Sequence, residues 1–163
     1  MKLKSKAYRQ TSPTRDPLSQ VGAINYGGRW NIKEAFGALY LALSKTALKA
    51  EIKSAMKRAG LEESVYFPRK IAETSIILSR VIDFRKAETR KKWGLTLADI
   101  QSLDWHKCQS VAGKVREAGY EGIVFPSATG VGANIAVFRD RLSEKSLVEI
   151  MSTREVASLK EIA

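Results

Sequence analysis

The sequence predicts an α+β fold. Helical and strand periodicities both occur along its 163 residues, and they do not alternate as a doubly wound parallel sheet requires. With 44% hydrophobic residues the chain can fill one core, since a domain of this size buries about two-thirds of its unfolded surface. No linker, repeat or low-complexity tract interrupts it, so residues 1–163 read as a single domain.

The elements follow in order. Tyr8-Arg9 belongs to a short opening strand, and Pro13 to Gly28, rich in Ser, Pro, Asp and Gly, reads as loop. Leu39 to Leu43 reads as a strand with Tyr40 and Ala42 on one face. Ser44 then offers an N-cap, Leu48, Ile52, Ala55, Met56 and Ala59 form an apolar stripe, and Gly60 supplies the stop, which predicts a helix over 45–59. Ser75 to Phe84 is one β-rich run. Thr96 to Asp99 resembles a capping box before a short helix. Trp105, Cys108, Val111, Ala112, Val115 and Ala118 mark a second amphipathic helix ended by Gly119. Strands are expected at Gly122 to Pro126, Asn134 to Phe138 and Ser146 to Ile150.

Charge narrows the partners. A net +11 attracts polyanions, whether nucleic acid, acidic proteins or phosphorylated small molecules. The cations are scattered along helices, as in Lys45, Lys49, Lys53 and Lys57, and as solvated faces they name no ligand. Lys2, Lys4 and Lys6 precede no apolar run, so no signal peptide is expected, and no stretch is apolar enough to span a bilayer. One cysteine, Cys108, excludes an internal disulfide and a cysteine-based zinc site. A cytoplasmic protein is the expectation.

Three segments can carry chemistry. Gly27-Gly28-Arg29-Trp30-Asn31 puts two glycines, which let backbone approach a ligand, beside a guanidinium that can clamp two phosphate oxygens. The plainer alternative is a tight turn with an exposed arginine. Glu51 sits one step off the apolar stripe, between the small Ala47 and Ala55, so its carboxylate can occupy a notch at the core's rim. The alternative is a surface glutamate paired with Lys45, Lys49 or Lys53. Phe125 to Asn134 joins two strands through a Gly-rich loop carrying Ser127. Gly130-Val131-Gly132 lacks the third glycine and following helix of a dinucleotide fingerprint, and no P-loop lysine follows. His106, the only histidine, has no metal-ligand partner at a useful spacing, and no nucleophile elbow surrounds Ser127. Trp30, Trp93 and Trp105 read as core or rim packing.

Taken in order, these segments resemble the RES-domain family. The match runs from about Tyr8 to Arg141 and rests on Gly27 to Asn31, the Tyr40-Leu41-Ala42 strand, Glu51 on the helix that follows, and Pro126-Ser127 before the strand of Ile135 to Phe138. The chain departs at Ile32, where many members have proline. The resemblance implies a fold like the ADP-ribosyltransferases, with mostly antiparallel sheets and flanking helices. It implies a toxin held by a helix-turn-helix antitoxin, which cleaves NAD at the nicotinamide–ribose bond and passes ADP-ribose to water, phosphate or a protein. NAD is then a substrate, with no resident cofactor and no metal. Direct nucleic-acid binding is not expected without the antitoxin.

By the same resemblance Glu51, Arg29 and Tyr40 are the catalytic residues. Arg29 or Arg9 would clamp the pyrophosphate, Tyr40 would stack on nicotinamide, Glu51 would face the developing cation, and Ser127 and Asn31 would complete the substrate-binding set. A non-enzymatic basic module that binds nucleic acid is the competing reading, although no RNP-like, KH or helix-turn-helix signature supports it.

Overall fold

The chain orders β1 (Leu3–Thr11), α1 (Val21–Tyr26), β2 (Leu39–Ala42), α2 (Lys45–Ala59), α3 (Glu63–Tyr66), β3 (Arg69–Leu78), β4 (Val81–Asp83), α4 (Ala87–Lys92), α5 (Leu97–Gln101), α6 (His106–Glu117), β5 (Gly122–Pro126), β6 (Ala133–Val137) and β7 (Leu147–Val156). The structure, a computed structural model, describes residues 1–163. The α+β class is as the sequence predicts.

The strand order is β4-β5-β6-β2-β1-β3-β7, antiparallel throughout except for the β4–β5 pair. One joint in this order is thin. β1 and β2 share a single residue pair, Tyr8 opposite Ala42, whereas β1 and β3 pair continuously from Leu3–Leu78 to Thr11–Lys70. The two halves of the sheet part at that joint. Their inner faces close on each other, with Ala7, Ile76 and Leu78 packed among Leu39, Leu41, Val124, Ile135 and Val137. Beyond the joint, Arg9 and Gln10 on one half and Tyr40 on the other flank an opening.

Helices seal the outer faces. In α2 the Ser44 side chain accepts the Ala47 N–H at 3.0 Å, and Gly60 stops the helix with a left-handed φ of 65°. Leu48 and Ile52 bury against Ala42, Phe67, Ile71 and Val156. α5 opens with the predicted capping box of Thr96 and Asp99. α6 buries Cys108, Val111, Ala112 and Val115 against Trp30, Phe84, Ile123 and Phe138.

Four local expectations change. The run Ser75 to Phe84 is two strands: β3 starts six residues earlier, at Arg69, and the chain turns at Ser79-Arg80 into β4. The loop of 13–28 contains α1, a helix with no buried residue. The opening strand is nine residues long, and the last strand, expected to end at Ile150, runs on to Val156. Both strands alternate in exposure over their first half, and continuous pairing with β3 carries them through the residues where that alternation lapses.

Candidate active site

The opening between the sheet halves continues into two adjoining cavities of about 370 and 180 Å³. Both are lined by Arg9, Tyr40, Glu51 and Asn134. A further cavity of about 410 Å³ opens beside β4, between Asp83, Lys86 and Trp93, and shares no residue with them.

Glu51 is half-buried on α2 and lines both cavities, and none of the neighbouring lysines pairs with it. Ser127 Oγ donates to Glu51 Oε1 at 2.5 Å, and Asn134 Nδ2 donates to the same oxygen at 3.0 Å. Oε2 keeps no protein partner. Ser127 is fully buried and anchored in turn by Thr129, whose hydroxyl lies 2.8 Å away. The loop that holds Ser127 comes down on α2 at Gly132, where a Cβ would lie 2.8 Å from the Ala47 Cβ. A carboxylate only accepts, so Asn134 must present its amide NH₂ to Glu51 and turn its Oδ1 away. That buried oxygen has no hydrogen-bond partner.

Tyr40 forms the floor. Its hydroxyl accepts the Trp30 N–H at 2.9 Å and donates to Asn31 Oδ1 at 2.8 Å. Burial pushes the phenol well above its ordinary range, so it stays protonated and serves as a fixed donor and a ring face. The first glycine of the Gly-Gly pair takes a positive φ of 77°. The second is reserved for Tyr40 rather than for a ligand, because a Cβ on Gly28 would stand 2.4 Å from the phenol oxygen. Trp30 is entirely core, stacked on Phe84 at 5.5 Å. Asn31 is buried as well; its amide donates to the Ala23 and Phe36 carbonyls, so it stands behind Tyr40 and not in the cavity.

The arginines are held by backbone. Arg29 donates to the Ser102 carbonyl at 2.6 Å, and Arg9 donates to those of Pro17 and Ser19, each at 2.7 Å. Neither forms an ion pair, so both keep their charge available to an anion. Burial lowers the pKa of Arg9 from its ordinary value, though a guanidinium remains charged. Cys108 lies behind Arg29, and burial pushes its thiol up to about 11, which leaves it neutral.

The RES domain family model matches residues 6–157. The chain belongs to the RES domain family. It is 34% identical over 139 residues to the NAD(+) phosphorylase MbcT of Mycobacterium tuberculosis and to that of Mycobacterium bovis, an overlap covering 82% of this chain and 73% of each relative. A chain of the crystal structure of the M. tuberculosis MbcT–MbcA toxin–antitoxin complex matches this RES chain with a TM-score of 0.86 at 27% identity. That match spans 99% of this chain and 88% of the other.

Of the residues singled out in the sequence, Arg9, Arg29, Tyr40 and Glu51 line the larger cavity of this RES domain. Ser127 and Asn31 reach it only through the side chains they hold. Asn134, Trp105 and Arg58 also line it, although the sequence reading assigned none of them to the site. Asn134 carried a usable signal: it is the polar residue opening the otherwise apolar strand Asn134 to Phe138, and it pairs with Ala42, which shares a face with Tyr40. Trp105 and Arg58 carried none, since each lies at a helix end and arrives by tertiary folding.

Proposed function

We propose that this RES protein is the toxin of a toxin–antitoxin pair and cleaves NAD at the nicotinamide–ribose bond, passing the ADP-ribosyl group to an acceptor. The observation that carries the reading is the Glu51 carboxylate, with one oxygen loaded by Ser127 and Asn134 and the other left to a cavity shared with two arginines and a tyrosine ring.

The chemistry needs that arrangement. Arg29 and Arg9 meet the pyrophosphate, and the Tyr40 ring meets the cationic nicotinamide face. As the glycosidic bond lengthens, positive charge moves from the nicotinamide ring to the ribose, as in a glycosidase transition state. Glu51 Oε2 faces that charge. Its orientation is fixed beforehand by the two donors on Oε1, so little reorganisation is needed when the charge appears. Asn134 Oδ1, buried without a donor, is matched to a ribose hydroxyl. Asn31 and Ser127 act as positioning residues, through Tyr40 and Glu51 respectively. NAD is consumed as substrate, and no resident cofactor or metal enters.

The solved relative is a complex with an antitoxin, and we assign this chain a helix-turn-helix antitoxin as partner. The +11 charge suits both an acidic partner and a dinucleotide. No helix is long and apolar enough to cross a membrane, and a cytoplasmic location completes the reading. The test is nicotinamide release from NAD by the purified protein. Release in proportion to protein concentration supports the reading. No release, together with salt-sensitive binding to random oligonucleotides, would replace it with a basic nucleic-acid module.

A further inference from the structure

Three guanidinium groups border the larger cavity, those of Arg9, Arg29 and Arg58, against the single carboxylate of Glu51. Two are tethered to backbone carbonyls. Arg58 is exposed and forms no ion pair. It lies in the last turn of α2, seven residues after Glu51, which puts both on one helical face, roughly 10 Å apart along the axis.

The charges of a bound dinucleotide leave Arg58 unmatched. Its pyrophosphate carries two negative charges, which the two tethered arginines balance, and its nicotinamide carries one positive charge, which Glu51 balances. The third guanidinium stands at the cavity rim on the same helix as the carboxylate that faces the reacting ribose.

We propose that Arg58 is the docking residue for an anionic acceptor, free hydrogen phosphate, and so determines which nucleophile takes the ADP-ribosyl group. The proposal rests on the NAD-cleaving reading above, takes phosphate from the phosphorylase named among the relatives, and adds the residue that would hold it. In the step, the bond between nicotinamide nitrogen and ribose C1′ breaks, and its electron pair returns to the nicotinamide ring, which leaves neutral. A phosphate oxygen forms the new bond to C1′, giving ADP-ribose 1″-phosphate. Hydrogen phosphate dianion keeps its own proton throughout, so no general base is required. Water as acceptor must instead release a proton. A charge that concentrates phosphate at the rim therefore favours phosphorolysis over hydrolysis without adding a catalytic group.

The test is Arg58→Gln, which keeps helix propensity and a long polar side chain. Nicotinamide, ADP-ribose and ADP-ribose 1″-phosphate are quantified while inorganic phosphate and NAD are varied separately. Loss of a charge-assisted hydrogen bond predicts a KM for phosphate raised roughly tenfold to a hundredfold. The KM for NAD should stay within about twofold, and the product should shift toward ADP-ribose. Arg58→Lys should recover part of the phosphate dependence. An unchanged phosphate KM overturns the proposal. So does a raised KM for NAD instead, because Arg58 would then hold a phosphate of the dinucleotide. If the parent protein releases nicotinamide but makes only ADP-ribose at every phosphate concentration, the acceptor site is refuted while NAD cleavage stands. If it releases none, both fall together.

Discussion

Two carboxylates of this chain, Glu51 on α2 and Glu121 just before β5, are each drawn inward by a serine hydroxyl, Ser127 at 2.5 Å and Ser146 at 2.6 Å. Each accepts a second donor on the same oxygen, Asn134 Nδ2 at 3.0 Å for Glu51 and the Ser79 N–H at 3.3 Å for Glu121. Their surroundings differ. Glu121 is 3% exposed, ties the β3–β4 turn to the loop before β7, and lines none of the cavities described above. Glu51 lines two cavities, and one of its donors, Asn134, carries a buried oxygen without a partner. Hydrogen bonds to a carboxylate thus serve stability where the group is enclosed. On the proposed function they serve chemistry at Glu51, where one oxygen is left to a cavity and a neighbouring polar atom has no partner.

The comparison is sharpest at Asn134. Asn134→Leu keeps the branching of the side chain and removes a hydrogen bond to a charged group, worth about 1.5–3 kcal/mol. If that interaction is made fully in the transition state, turnover should fall roughly tenfold to a hundredfold. The melting temperature should hold or rise, because a buried acceptor without a donor goes with it. A normal rate with a lowered melting temperature would put Asn134 in the same class as the structural donors around Glu121.

Ser127→Ala should have a smaller effect, since it removes one donor to Glu51 Oε1 but leaves Asn134 with both its donor and the free Oδ1 proposed to meet the ribose. A fall in kcat of roughly tenfold, about the net worth of one hydrogen bond, with the KM for NAD within about twofold, is the expected steady-state result. A KM effect alone would mean that Ser127 contacts the substrate directly instead of orienting Glu51.

Glu121→Ala should do the opposite. The Ser79 N–H and the Ser146 hydroxyl lose their charged acceptor and keep only each other and Ser143, at a cost of about 1–3 kcal/mol. That lowers the melting temperature by about 2–12 °C at 2–4 °C per kcal/mol. NAD turnover at 25 °C should match the parent. Lost turnover in a protein that is still folded would show that the two regions are coupled, and the contrast between them would fail.

Legibility in the sequence followed locality. Ser44, the Leu48–Ile52 stripe and Gly60 are enough to mark α2, and Thr96 with Asp99 marks α5, because caps and helical periodicity are written within a few residues. β5 and β6 were legible as apolar runs around a Gly-rich loop. β7 was only half visible: most of its ten residues are exposed and polar or charged toward its end, and pairing with β3 makes the strand. The site divided in the same way. Arg29, Tyr40 and Glu51 stood out through the family resemblance and their placement beside small residues. What the sequence did not convey was the division of labour. Gly28, Trp30 and Asn31 look like a ligand loop, yet the fold spends them on holding Tyr40. Asn134 and Arg58 belong to elements read correctly, but their approach to Glu51 is set by how β6 and the end of α2 close on the cavity.

On the proposed function Glu51 acts on the developing cation and not as a structural acid, and Glu51→Gln separates the two roles. Glutamine keeps the shape and the helix propensity and still accepts from Ser127 and Asn134, so the melting temperature should stay near that of the parent. NAD affinity, measured by calorimetry, should also persist, because Arg29, Arg9 and Tyr40 are intact. The rate of nicotinamide release should drop on the order of 10²–10³, as when a preorganised electrostatic contact is removed from a transition state. Release at the parental rate, with NAD still bound, would contradict that role and leave Glu51 a half-buried glutamate that only holds Ser127 and Asn134 in place.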